Sequence, residues 1–114
     1  MGDTIKVADG GDAIVVLITV ASREEAGRIA RRLVEDRLAA CVNILPQVQS
    51  LFIWEQKLSQ EDEVLLVVKS RRARFEQLAA AVKQLHSYSV PEIIARPVVM
   101  GSADYLRWVS ESTP

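Results

Sequence analysis

The side chains best suited to chemistry cluster in two stretches of this 114-residue chain. His86 is its single histidine, and histidine is both the commonest metal ligand and the side chain that changes charge near neutral pH. Glu92 lies in the same loop, where a turn brings a hard oxygen donor toward the ring, and Cys41 is the one thiol. His86 with Glu92 therefore forms a candidate divalent-metal site, with Cys41 as a soft partner. A closed structural site takes about four ligands, more than this loop offers, and self-association is one way to bring in side chains from a neighbouring subunit. The alternative role for His86 is a hydrogen-bonded brace of its own loop.

A second candidate set is Tyr88, Lys69, Glu63 and Cys41, which can line a cleft for a small charged ligand. Lys69 and Glu92 can equally form an ion pair across a subunit boundary. Cys41 follows Ala39 and Ala40, company in which a free cysteine behaves as a small buried hydrophobe. A thiolate nucleophile needs a positive neighbour, and Arg37 is the nearby candidate in sequence. No nucleophile elbow, phosphate-binding loop or dinucleotide fingerprint is present, which points away from an enzyme.

The elements that must carry these groups are legible in the pattern. Residues 1–12, ending Asp9-Gly10-Gly11-Asp12, read as a flexible leader, and 13–114 as one domain. Ala13 to Ile18 is a continuous apolar run, the pattern of a central strand. Ser22-Arg23-Glu24-Glu25 matches a capping box, with Ala26, Ile29, Ala30 and Leu33 following at helical spacing. Cys41 to Leu45 is a second strand, broken at Pro46 by a bulge or edge and resumed at Leu51 to Trp54. A short break leads to Glu63–Lys69, an antiparallel partner. Arg72 to His86 is a second one-faced helix, and Ile93 to Met100 a last strand with Pro97 at an edge. Ser102 is placed to cap a C-terminal helix carrying Tyr105, Leu106 and Val109.

The order β-α-β-β-α-β plus a helix is the ferredoxin-like α+β arrangement, an antiparallel sheet with its helices on one face. That leaves an apolar sheet face uncovered, so the chain is expected to self-associate. Trp54, Phe52 and Trp108 are the aromatic candidates for that interface.

Fourteen basic against fifteen acidic side chains give a net charge of -1. Nucleic-acid binding is not expected from that balance. The one dense basic run, Lys69 to Arg74, reads as a strand end and first helical turn. A single cysteine permits no internal disulfide. With no apolar stretch of signal-peptide or membrane-spanning length, the expected location is the cytoplasm, without membrane attachment.

Several segments resemble the CutA divalent-cation-tolerance family. Leu38-Ala39-Ala40-Cys41-Val42-Asn43-Ile44 is similar to its helix-to-strand segment. Trp54-Glu55-Gln56-Lys57 resembles its W-E-G-K hairpin, with Gln56 in place of glycine. Glu63 with Lys69-Ser70 resembles its E-x5-K-T stretch. His86-Ser87-Tyr88-Ser89-Val90-Pro91-Glu92 resembles H-P-Y-x-V-P-E, and Asp104 to Trp108 resembles D-Y-L-x-W. The resemblance implies a homotrimer of ferredoxin-like subunits, hairpins that pair between neighbours, and binding of copper or another divalent cation in or near intersubunit clefts. It also implies kinship of architecture with PII-type signalling trimers, and hence an alternative role as a sensor or scaffold for a small metabolite or a partner protein. Ser87 and Ser89 depart from the family pattern, Ser89 at a frequently acidic position.

Overall fold

A computed structural model describes residues 4–114. Its elements are β1 (Val7–Asp9), β2 (Ala13–Val20), α1 (Arg23–Glu35), β3 (Cys41–Trp54), β4 (Lys57–Arg71), α2 (Phe75–Leu85), β5 (Ile93–Pro97), β6 (Met100–Ser102) and α3 (Ala103–Ser112). The main sheet is antiparallel in the order β3-β4-β2-β5. This is the ferredoxin-like arrangement the alternation of elements predicts.

The apolar run at the start of the domain becomes β2, an inner strand. Its Ile14, Val16, Ile18 and Val20 are buried, as are Val64, Leu66 and Val68 of β4. Against them pack Ala26, Ile29 and Leu33 of α1 and Leu78, Ala81 and Val82 of α2. Each large aliphatic side chain withdrawn from water in this way contributes about 1.5–3 kcal/mol. The alternate residues of the same strands, Val15, Leu17, Leu65 and Val67, stay only half-buried. One sheet face is covered by the two long helices, and the opposite face is apolar and largely open.

α1 begins as its sequence dictates, with the Ser22 hydroxyl accepting from the Glu25 N–H at 3.2 Å. The reciprocal half of the capping box does not form, because the Glu25 carboxylate is engaged elsewhere. The helix ends in a Schellman pattern: Arg37 N–H donates to Val34 and Leu38 N–H to Leu33. Arg37, with φ 60°, takes the left-handed position that glycine usually fills.

β3 and β4 form a long hairpin whose register shifts between Leu45 and Val48. Pro46 falls at that bulge, on an edge strand, where its missing N–H costs no ladder bond. The hairpin turn carries positive φ at both Glu55 (49°) and Gln56 (67°), as a type I′ turn demands.

Three expectations change. Val7–Asp9 does not belong to a leader outside the fold; it forms β1, paired with β6. Residues 1–3 of that expected leader lie outside the described residues. The apolar stretch from Ile93 to Met100 is not one strand: β5 ends at Pro97, and β6 joins the separate two-stranded sheet. Ser102 makes no side-chain cap on α3; the Lys6 carbonyl accepts from Ala103 N–H instead.

Candidate functional site

The loop that follows α2 packs onto the first turn of α1 and the end of β2. His86 is the first residue after α2, and its side chain is fully buried. Its Nε2 lies 2.7 Å from the Thr19 carbonyl, and its Nδ1 lies 3.0 Å from the Tyr88 N–H. A carbonyl can only accept and an amide can only donate, so Nε2 carries the proton and Nδ1 offers its lone pair. The imidazole is neutral, with both nitrogens committed.

Glu25 reaches this loop from α1. Its two carboxylate oxygens accept from Ser87 N–H and the Ser87 hydroxyl, each at 2.9 Å. Glu25 Oε2 also lies 3.4 Å from His86 Nδ1. Tyr88 packs against the imidazole in a tilted arrangement at a centroid distance of 4.8 Å and donates its phenolic proton to Glu63 Oε2 at 2.8 Å. Burial pushes the Tyr88 phenol well above the usual tyrosine range, and the hydrogen bond to the Glu63 carboxylate adds to it. The cluster ties α1, β2 and β4 to one loop through hydrogen-bonded polar groups, of which Glu25 and Glu63 are buried and Ser87 lies at the surface.

A second cluster lies on the open sheet face. Cys41 of β3 stands directly opposite Lys69 of β4. The Lys69 ammonium is 3.9 Å from the Cys41 sulfur and donates to the Asn43 side-chain oxygen. Tyr105 of α3 completes the group; burial, and then the neighbouring Cys41 thiol, push its phenol up. An ammonium in this position attracts a small anion placed on the sheet.

The candidate residues thus divide. Tyr88 and Glu63 meet, and Lys69 and Cys41 meet, but the two pairs sit six residues apart on β4, about 20 Å at the rise of a strand. Glu92 is exposed and does not join His86. Lys69, rather than Arg37, supplies the positive neighbour of Cys41, because register brings together residues that sequence separates. Asn43 and Tyr105 escaped sequence reasoning; strand alternation from Cys41 marks Asn43 as sharing its face. Glu25 was hidden by its place in a capping motif.

Trp54 and Phe52 are 51% and 40% exposed along the hairpin. Trp108 lies beside Tyr105, ring centroids 5.6 Å apart, over a shallow depression bordered by Val34, Arg37, Ala39 and Ala40.

The metal expectation for His86 and Glu92 does not fit this geometry. Coordination at His86 requires breaking its bond to Thr19 or to Tyr88, and Glu92 is not there to share the ion. Among the described residues, no group of three or more His, Cys, Asp or Glu side chains converges.

Comparison with known proteins agrees with the fold. The family profile described as CutA1 divalent ion tolerance protein matches residues 14–112. The divalent-cation tolerance protein CutA of Thermus thermophilus is 50% identical over 99 residues, which cover 87% of this chain and 96% of that one. The chloroplastic CutA of Arabidopsis thaliana is 44% identical over 101 residues, 89% of this chain and 56% of the relative. Among solved structures, the periplasmic divalent cation tolerance protein CutA from Archaeoglobus fulgidus superposes with a TM-score of 0.87 at 41% identity, over 90% of this chain and 99% of that one. With most of its length matched in sequence and in fold, the chain belongs to the CutA1 divalent ion tolerance protein family.

Proposed function

We propose that this protein acts in divalent-cation tolerance as a cytoplasmic homotrimer without catalytic activity, and that copper or another divalent cation is held in clefts between its subunits. The observation that carries this reading is the open sheet face. Val15, Leu17, Leu65 and Val67 are half-buried there, and Leu51, Phe52, Ile53, Trp54 and Leu58 of the hairpin stand in solvent. Apolar side chains left in solvent to this extent mark an interface.

A second reading rests on Lys69. Its ammonium, set on the sheet face between Cys41 and Asn43, suits a small anionic metabolite, as in a PII-like sensor. One experiment separates the two: mass by light scattering, with calorimetric titration of copper(II) and zinc(II) into chelator-stripped wild type, His86→Gln and Lys69→Ala. A trimer that binds metal saturably, and keeps that binding in His86→Gln, supports the first reading. A trimer without metal binding moves the weight to the second, tested with inorganic phosphate against Lys69→Ala. A monomeric mass removes both.

A further inference from the structure

The family profile begins at residue 14, yet the segment before it is built into the fold. β1 pairs antiparallel with β6, Val7 opposite Ser102, Ala8 opposite Gly101 and Asp9 opposite Met100. The Lys6 carbonyl accepts from Ala103 N–H at 2.8 Å, which satisfies one of the free amides at the start of α3 that Ser102 leaves uncapped. Gly10 N–H donates to the Val99 carbonyl at 3.0 Å, and the Asp12 carbonyl accepts from Arg72 N–H at 2.8 Å.

The crossing is closed by a steric lock. A Cβ placed on Gly10 falls 1.6 Å from the Val98 carbonyl oxygen, a distance no pair of non-bonded atoms can adopt. Only a residue without a side chain lets the two backbones pass this closely. Gly11 differs: its φ is 59°, but a Cβ there meets nothing within 4 Å.

The far end of α3 is tied to the same segment. Arg71 donates from Nε to the Thr113 carbonyl at 2.9 Å and from Nη1 to the Asp12 carboxylate at 3.2 Å. Thr113 is fully buried. Both ends of α3 are therefore anchored through residues 6–12, at Lys6 and, by way of Arg71, at Asp12.

We infer that residues 6–12 are a strap, locked by the Gly10–Val98 crossing, that clamps β6 and α3 onto the end of the sheet and so holds Tyr105 beside Cys41 and Lys69. Release of the strap frees α3 and uncovers that polar cluster while the main sheet stays intact. The strap stands independently of the trimer and metal readings.

The test is amide hydrogen exchange by mass spectrometry on the full chain, on Gly10→Ala, on Gly11→Ala and on a variant lacking residues 1–9. Local opening exchanges independently of the global core. The peptide spanning 99–108 is expected to exchange roughly 100-fold faster in Gly10→Ala and in the deletion, with 14–20 and 64–70 unchanged. Gly11→Ala, strained by its φ but free of any clash, is expected to loosen the same peptide by no more than roughly 10-fold. Wild-type protection of 99–108 in Gly10→Ala or in the deletion overturns the strap. Equal loosening by Gly11→Ala overturns the crossing as its lock, and global loss of protection in the deletion shows the segment to be core rather than strap.

Discussion

The Glu25 carboxylate accepts from both the backbone N–H and the hydroxyl of Ser87, each at 2.9 Å, and thereby joins the first turn of α1 to the loop after α2. The Glu25 side chain is buried, whereas Ser87 lies at the surface, so water replaces part of what the carboxylate supplies. Glu25→Ala takes the acceptor from both donors of Ser87, and the expected loss is about 1–3 kcal/mol. Ser87→Ala, which removes only the hydroxyl, is expected to cost about 1 kcal/mol. Urea unfolding at one fixed protein concentration compares them; equal effects would show that the backbone bond to Ser87 carries nothing.

His86 serves the same loop by bridging Thr19 and Tyr88. His86→Leu approximates the ring's volume and supplies neither bond, so it is expected to destabilise by about 2–3 kcal/mol. His86→Gln, which has both a donor and an acceptor, recovers part of that. If the two variants unfold at the same urea concentration, the hydrogen bonds are not what the ring contributes.

Tyr88 sets an alkaline limit. Its raised pKa, due first to burial and then to the Glu63 hydrogen bond, means that the neutral phenol is favoured in the folded state. Its contribution is fully present below the ordinary tyrosine pKa of about 10. Above that pH the unfolded chain releases its proton first, so stability falls as pH rises. Tyr88→Phe is expected to be less stable near neutrality and to lose stability less steeply above about pH 10. Tyr105, shifted in the same direction, keeps part of the slope. Parallel curves for wild type and Tyr88→Phe in urea midpoints against pH would contradict the assignment.

Gln56 and Arg37 occupy left-handed backbone positions, at φ 67° and 60°. Gln56→Gly and Arg37→Gly are each expected to stabilise by up to about 1 kcal/mol, since relief of the Cβ clash exceeds the entropy glycine adds to the unfolded chain. A fall in stability for both substitutions would mean that their side chains contribute more than the strain removes.

Leu66, fully buried between the sheet and the helices, tests the core. Leu66→Ala is expected to cost about 2–5 kcal/mol through lost transfer and the cavity left behind. Leu65→Ala, on the half-buried open face, is expected to cost less in a monomer. A comparable or larger loss at Leu65, growing steeper as protein concentration falls, would identify that face as buried by self-association.

The order of the four main-sheet strands and three helices, the Ser22 cap, the bulge at Pro46 and the helical core faces follow from local rules: apolar period, hydroxyl capping chemistry and the missing amide of proline. These act over a few residues, and the amino-acid order alone fixes them. The partners of Glu25, the neutral and committed state of His86, the meeting of Cys41 with Lys69 and the steric need for Gly10 were not decided at that level. Each depends on two segments far apart in the chain arriving within hydrogen-bond or van der Waals distance. Strand register, the packing of α1 against the loop after α2 and the pairing of β1 with β6 set those distances. Hydrogen bonding and steric exclusion change steeply over an ångström, whereas sequence pattern locates an element only to within a few residues.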